Sequence, residues 1–502
     1  MKTLTAIACG LAASLAFPDT WAESEQWTPD IEAWNSPAPP APDAVLVRGA
    51  TVWTGSEAGM MEDADLLVRD GRIAEVGQDL SAPSGAEEID GEGMHITPGI
   101  IDGHSHAAIL GGVNEMSRIS TADVRIRDVI DPESINIYRQ LAGGVTTVNL
   151  LHGSANAIGG QNAIVKFRWG EPAEDLLLDG APEGIKFALG ENPKQSNWDA
   201  EESRYPQTRH GVEQVIRERF QDAEEYARQH EEFPSGRAAR DRVPPRPDFE
   251  LEAIAEILDG SRDVHAHAYR ADEMLALMRV AEGFDFVIKT FQHVLEGYKI
   301  APQIAEHGAG ASTFIDWWGF KYEAIDGIGF NPALMHESGV LTALHSDNPE
   351  LARRMNLEAA KAVRYGGVDE HDALKMITAW AADQLGVGDR IGRLDAGLDA
   401  DFVIWNGHPL SSFSRVEQTW VDGRTYFDRE ADLRMQAELE NERAELMAKA
   451  LAESNGTEAE ETDASENDDD NEPDQATHFA PHLTGYRQSE LDHDEFCILH
   501  DH

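Results

Sequence analysis

The chain has 502 residues, of which 92 are Asp or Glu and 41 are Lys or Arg, a formal net charge of −51. Such a field repels phosphate, which excludes nucleic-acid binding and reads as a heavily hydrated acidic surface. The length is too great for one small core and suits a (β/α)8 barrel with a companion domain.

Near the start, Lys2 precedes the modest apolar run "LTAIACGLAASLAF" and then "DTWAES". The charged, apolar, small-residue order predicts a signal peptide over 1–22, cut after Ala22, and hence a periplasmic or secreted protein. The run is too short for a permanent membrane span. If Cys9 leaves with the signal, only Cys497 remains, so no intramolecular disulfide can form. Residues 23–43 are Pro-rich and aperiodic, as in a linker.

From Ala44, "AVLVRGATVWTG", "ADLLVRDGRIAEVG" and "EEIDGEGMHITPG" read as short strands separated by Gly and Asp turns. The same texture returns in "GRLDAGLDADFVIWNG" and "VEQTWVDGRTYF". Segments 44–98 and 391–430 therefore predict a small β-sandwich domain formed by both flanks of the chain. Between them, over 99–390, apolar strand-like runs alternate with helical patterns, as a parallel α/β sheet requires. The barrel strands are placed at "GIIDGHSH", "GVTTVNLL", "AIVKF", "GIKFAL", "DVHAHA", "DFVIKTFQHV", "ASTFID" and "VLTALHSD". An insertion at about 190–260 follows "GIKFAL", where loops of this architecture build lids and pocket walls. Residues 431–502 begin as a polar helix and pass into "EAEETDASENDDDNEPD", an acidic tail expected to be disordered because it has too little apolar surface to bury.

Polar residues collect at the predicted strand ends. His104 and His106 are two apart, so on a strand their imidazoles point to the same side. Lys186, His265 and His267, His293 and Asp347 close later strands. Imidazole and carboxylate together suit zinc and other divalent first-row metals. His265 and His267 both face inward on a strand; His267 lies nearer the carboxyl end, while His265 also fits a packed, hydrogen-bonded core position. Lys186 has an acidic competitor in Glu191, because a free ammonium has no lone pair to give a metal.

The motifs "TPGIIDGHSH", "GVTTV", "HAYRADEM", "FQH", "HSDNPE" and "IGRLDAGLDADFVIW" together resemble the metal-dependent amidohydrolase superfamily, especially its imidazolonepropionase-like and Xaa-Pro dipeptidase-like branch. The resemblance covers roughly residues 44–428. It implies a (β/α)8 barrel, a flanking β-sandwich, and one or two divalent ions, zinc first among them. By motif position, His104 and His106 would bind the more buried ion, His267 and His293 the second. Asp347 would bind the first and act as catalytic base. Lys186 occupies the place of a carbamylated, bridging lysine. The reaction implied is hydrolysis of an amide C–N bond in a peptide or cyclic amide. A mononuclear imidazolonepropionase-like enzyme and a non-catalytic periplasmic metal- or ligand-binding protein are the competing readings, and Asp347 discriminates, since a binder needs no base.

For the substrate, His152 and Gln161 lie in the Gly-rich "HGSANAIGGQN", which reads equally as a flexible turn. Lys194 and Arg209 are cations suited to a substrate carboxylate. His345 shares a strand face with Asp347 and either contacts substrate or makes a structural hydrogen bond. Trp317, Trp318 and Tyr322 line the site or pack on a helix. Expected partners are a small-molecule or peptide substrate and, in a homo-oligomer, further copies of the chain.

Overall fold

The structure is a computed structural model that describes residues 41–194, 204–235, 240 and 242–461. The predicted signal peptide, nearly all of the linker and the acidic stretch beyond 461 lie outside the described residues.

The first flank forms β1 (Ala44–Trp53), β2 (Met60–Arg69), β3 (Arg72–Gly77), β4 (Glu87–Asp90) and β5 (His95–Pro98). The middle of the chain supplies β6 (Ile100–Ser105), β7 (Val145–Leu150), β8 (Ile158–Gln161), β9 (Ala163–Lys166), β10 (Glu183–Ala188), β11 (Arg262–Ala268), β12 (Thr290–His293), β13 (Gly310–Thr313) and β14 (Thr342–Leu344). The second flank adds β15 (Phe402–Trp405), β16 (Val416–Val421) and β17 (Arg424–Asp428).

Both flanks enter one eight-stranded sheet, in the order β17-β16-β15-β5-β1-β2-β3 with β4 beside β1. The joint is the antiparallel pair β5/β15, where Ile96 faces Ile404 and Pro98 faces Phe402. Apolar side chains at alternate positions, among them Val45, Val47, Leu66, Ile96, Phe402 and Trp420, make its core.

In the middle, β10 to β14 run parallel in consecutive order, and β6 and β7 form a second parallel pair. Their residues are buried on both faces, apart from the first residue of β10 and a half-buried position early in β11, as expected of parallel strands covered by helices. The strand expected third, "AIVKF", departs from the sequence reading: β9 runs antiparallel to β7, and β8 antiparallel to β10. The ends of β14 and β6 meet through the Asp347 amide, which donates to the His104 carbonyl at 3.0 Å.

In β10, Ile185 and Phe187 point to the helix side and Lys186 to the other. The helix Arg209–Glu231, in the expected insertion, packs Val212, Val215, Ile216 and Phe220 into the cluster that holds Ile185, Phe187, Val264 and Ala266. Its first residue, Arg209, reaches Glu273 in the helix after β11 and Glu323 in the segment after β13.

A buried ionic joint ties β9 to the second flank. Lys166 is fully buried, and its Nζ lies 2.8 Å from Asp399, 3.0 Å from Asp401 and 2.6 Å from Asp422. Arg168 binds Asp422 at 2.7 Å and Arg390 binds Asp399 at 3.0 Å. Burial pushes Asp401 up to about 6, against the opposing pull of Lys166. After β17, the helix Arg429–Glu461 follows. Among the described residues, no helix is long and apolar enough to cross a membrane.

Candidate metal centre

The carboxyl ends of β6, β12 and β14 converge on one buried cluster. Asp347 Oδ1 lies 3.2 Å from His104 Nε2 and 3.1 Å from His106 Nε2, and Asp347 Oδ2 lies 3.9 Å from His293 Nε2. These four side chains are no more than about a twentieth exposed. Two groups have donor atoms within 4.8 Å of one another: His104, His106 and Asp347; and His104, His293 and His345. His267 adjoins them, its ring centroid 4.5 Å from that of His293.

The outer ring nitrogens are assigned by their partners. His106 Nδ1 lies 2.8 Å from the Leu151 carbonyl, which only accepts, so Nδ1 carries the hydrogen. His104 Nδ1 meets Gln292 Oε1 at 3.3 Å, and His267 Nδ1 meets Ser154 Oγ at 2.9 Å. In the neutral ring of His104 the Gln292 oxygen, which only accepts, places the hydrogen on Nδ1 and leaves Nε2 bare, whereas the Ser154 hydroxyl suits either tautomer of His267. Burial holds His104, His267 and His293 well below the usual imidazole value; Lys186 adds to this at His104, Lys321 at His267 and His267 at His293. Neutral imidazoles are the ligating form.

The donor set fits a divalent cation for a specific reason. The Nε2 atoms of His104, His106 and His293 face the two oxygens of one carboxylate within 3.9 Å. Asp347 Oδ1 and His267 Nε2 are buried and have no hydrogen-bond partner among the described residues. Lone pairs so arranged repel one another, and a shared cation relieves that repulsion. The backbone is strained at the same place: His293 and Asp347 have φ of +73° and +50°, in the left-handed region that costs a non-glycine residue energy.

Asp102 clamps the rim. One carboxylate oxygen accepts from the His104 amide at 3.2 Å and the Ser346 amide at 3.0 Å, and the other takes the Ser346 hydroxyl. This ties the residues flanking Asp347 to β6.

The remaining sequence candidates separate into near and far. Lys186 is fully buried, with Nζ 3.1 Å from His104 Nε2. His265 stands opposite Lys186 in the β10/β11 register, one layer further from the strand ends than His267. Glu191 lies 3.7 Å from Lys321 Nζ and its amide donates to Glu323. His345 is buried between Ser312 Oγ, 3.0 Å from its Nδ1, and His293 Nδ1, 3.1 Å from its Nε2.

His152 and Gln161 are engaged with backbone. His152 Nε2 accepts from the Glu115 amide at 2.9 Å and Nδ1 donates to the Gly153 carbonyl at 2.9 Å. The glycines beside it make room for the ring: a Cβ on Gly159 would sit 2.9 Å from Nδ1 and one on Gly160 3.0 Å from Cδ2. Gln161 Nε2 donates to the Ala122 carbonyl at 2.8 Å. Lys194 is half-buried in the turn after β10. Arg209 is held between Glu273, at 2.5 Å, and Glu323.

Aromatic side chains wall the cluster. Phe314 stacks on His293 at 5.2 Å and Trp317 on Phe314 at 5.2 Å, whereas Trp318 and Tyr322 are 46% and 84% exposed. Tyr269, which the sequence reading passed over, stacks on His293 at 5.0 Å. The sequence reading also passed over Ser154, Ser312, Gln292 and Asp102; the one available signal was that Asp102 stands two residues before His104.

Parallel strands with helices between them, and a buried His/Asp cluster at their carboxyl ends, define an α/β protein built around a divalent-metal site. Comparison narrows the class. The Amidohydrolase family pattern matches residues 324–426. An amidohydrolase from Thermotoga maritima MSB8, known by crystal structure, is 34% identical; the match covers 76% of this chain and 100% of that one, with a TM-score of 0.70. The amidohydrolase tasK of Hapsidospora irregularis is 32% identical over 76% of this chain, which spans only 43% of that relative's length. The imidazolonepropionase of Thermoplasma volcanium is 22% identical over 74% of this chain and 93% of its own length. The chain belongs to the metal-dependent amidohydrolase superfamily, hydrolases acting on C–N bonds, with a TIM-barrel-type α/β fold.

Proposed function

We propose that this protein hydrolyses the C–N bond of an amide, in a peptide or a cyclic amide, with Asp347 as general base. The observation that carries the reading is the convergence of His104, His106 and His293 Nε2 on the two oxygens of Asp347. In it, His104, His106 and Asp347 would hold one divalent ion, zinc first among the candidates, and His267 and His293 would hold a second. Lys186, if carbamylated, would offer oxygen lone pairs to such ions, which its free amine cannot. The reading takes the middle strands as a TIM-type barrel in which β8 and β9 stand antiparallel to their neighbours, and the flanks as its small β-sandwich companion.

A divalent ion bound there polarises a substrate carbonyl and makes a water acidic enough to ionise near neutral pH. The protein's own part is proton handling and orientation. Asp347 takes a proton from the attacking water and returns it to the leaving nitrogen, base and then acid in one carboxylate. Asp102, through the His104 and Ser346 amides, fixes the backbone that carries the base. Phe314, Trp317 and Tyr269 restrict solvent around it, which strengthens each electrostatic contact.

A mononuclear enzyme is the second reading, in which Lys186 stays a free amine beside His104 Nε2 and binds no metal. The likeness to an imidazolonepropionase supports a cyclic substrate in that case. The start of the sequence supports export to the periplasm or beyond. Metal analysis of the full chain together with a panel of dipeptides and cyclic amides tests the proposal. About two metal equivalents with hydrolysis support the bridged site and about one supports the mononuclear enzyme. Metal without hydrolysis of any amide would leave a binding protein.

A further inference from the structure

The second of the two donor groups contains His345, and its contacts form a line: Ser312 Oγ, 3.0 Å, His345 Nδ1; His345 Nε2, 3.1 Å, His293 Nδ1. All three side chains are buried. Ser312 lies on β13 between Gln292 of β12 and Ala343 of β14, so the line crosses neighbouring strands at one level.

Two neutral imidazoles in such a line share a single hydrogen between them, which leaves two arrangements. In the first, His293 Nδ1–H donates to His345 Nε2, and His345 Nδ1–H donates to Ser312 Oγ. His293 Nε2 is then bare and faces Asp347. In the second, His345 Nε2–H donates to His293 Nδ1, Ser312 Oγ–H donates to His345 Nδ1, and His293 Nε2 carries the hydrogen. Only the first arrangement leaves His293 able to ligate a cation.

We propose that His345, backed by Ser312, is a positioning residue that selects the ligating tautomer of His293 and does not itself bind metal. Ser312 makes the first arrangement possible by offering a hydroxyl oxygen that accepts. A carboxylate in its place would hold the hydrogen on His345 Nδ1 permanently, whereas a hydroxyl can accept or donate. The metal-free site can thus hold either arrangement, and a cation at His293 selects the first. This rests on the pocket being a metal centre, but not on the reaction performed there.

The test is zinc affinity of the full chain, measured by competition with a chromogenic chelator, with the unfolding temperature of each metal-free protein as the control for folding. His345→Phe keeps the ring volume but removes the acceptor; zinc should bind about 10–100-fold more weakly, the usual loss when a ligand's orienting partner is removed. His345→Gln supplies an amide oxygen that accepts from His293 Nδ1–H, and should recover most of that loss. Ser312→Ala is the gentler change: it leaves His345 Nδ1–H without an acceptor, favours the second arrangement and should also weaken zinc. Wild-type affinity in His345→Phe or Ser312→Ala would overturn the proposal. Equal weakening in His345→Gln and His345→Phe would also overturn it, because it would make His345 a direct ligand. Failure of the wild-type chain to bind zinc at all would instead count against the metal centre.

Discussion

Lys186 Nζ stands 3.1 Å from His104 Nε2, a ligand candidate's lone pair occupied by a lysine amine. An ammonium there competes with a cation for His104, whereas a carbamate would bind one. Metal uptake should therefore depend on carbon dioxide. Apo protein loaded with zinc in bicarbonate should take up about two equivalents, and protein loaded in degassed, bicarbonate-free buffer about one. Lys186→Met should take up about one under both conditions. Metal analysis by mass spectrometry measures each case.

Asp347→Asn removes both the base and one anionic ligand while keeping the shape of the side chain. Turnover on any amide substrate found should fall by about 100–10,000-fold, the range for loss of a general base. The far-ultraviolet circular dichroism spectrum should be unchanged. Retained turnover would show that another group accepts the proton.

Arg209, expected to meet a substrate carboxylate, is instead clamped between Glu273 and Glu323. Burial pushes Glu273 up to about 7 from 4.5, reinforced by Glu323. The folded protein therefore holds this proton more tightly than the unfolded chain. That stabilising contribution is complete below about pH 4.5 and is lost as pH rises towards about 7. Glu273→Gln should remove this component, so the melting temperature of the variant should rise relative to wild type between those pH values. Parallel pH profiles of the two melting temperatures measure the difference.

Lys166→Met should destabilise the protein by about 3–5 kcal/mol, because it leaves the buried Asp399 and Asp401 and the half-buried Asp422 beside one another with one cation fewer. The loss should shrink in acid. Without Lys166 the carboxylates hold protons more tightly when folded than when unfolded, so lowering the pH neutralises them and restores stability. Urea unfolding at pH 5 and pH 8 compares the two conditions.

Much of the site was legible because it follows from local spacing. In "DGHSH", two histidines on one strand face and an aspartate two residues earlier reach one rim by the period of two alone. "FQH" and "HSD" place His293 and Asp347 at strand ends in the same way. What the sequence hid is carried by distant neighbours. Ser154 orients His267 from 113 residues away, and Gln292 orients His104 from 188 residues away; serine and glutamine are too common for their position to signal this. The run "AIVKF" reveals a strand but not its direction, because an apolar run looks the same parallel or antiparallel. Arg209 looked like a free cation in an acidic chain; its two carboxylate partners come from helix and loop segments that the sequence alone does not bring together.

The central claim is that His104, His106 and Asp347 share one cation, with His293 beside it. Crystals grown with zinc and measured across the zinc absorption edge test this most directly. The account predicts an anomalous peak about 2.0–2.2 Å from His104 Nε2, His106 Nε2 and an Asp347 oxygen. Zinc bound elsewhere on the chain, with no peak among these three residues, would contradict it.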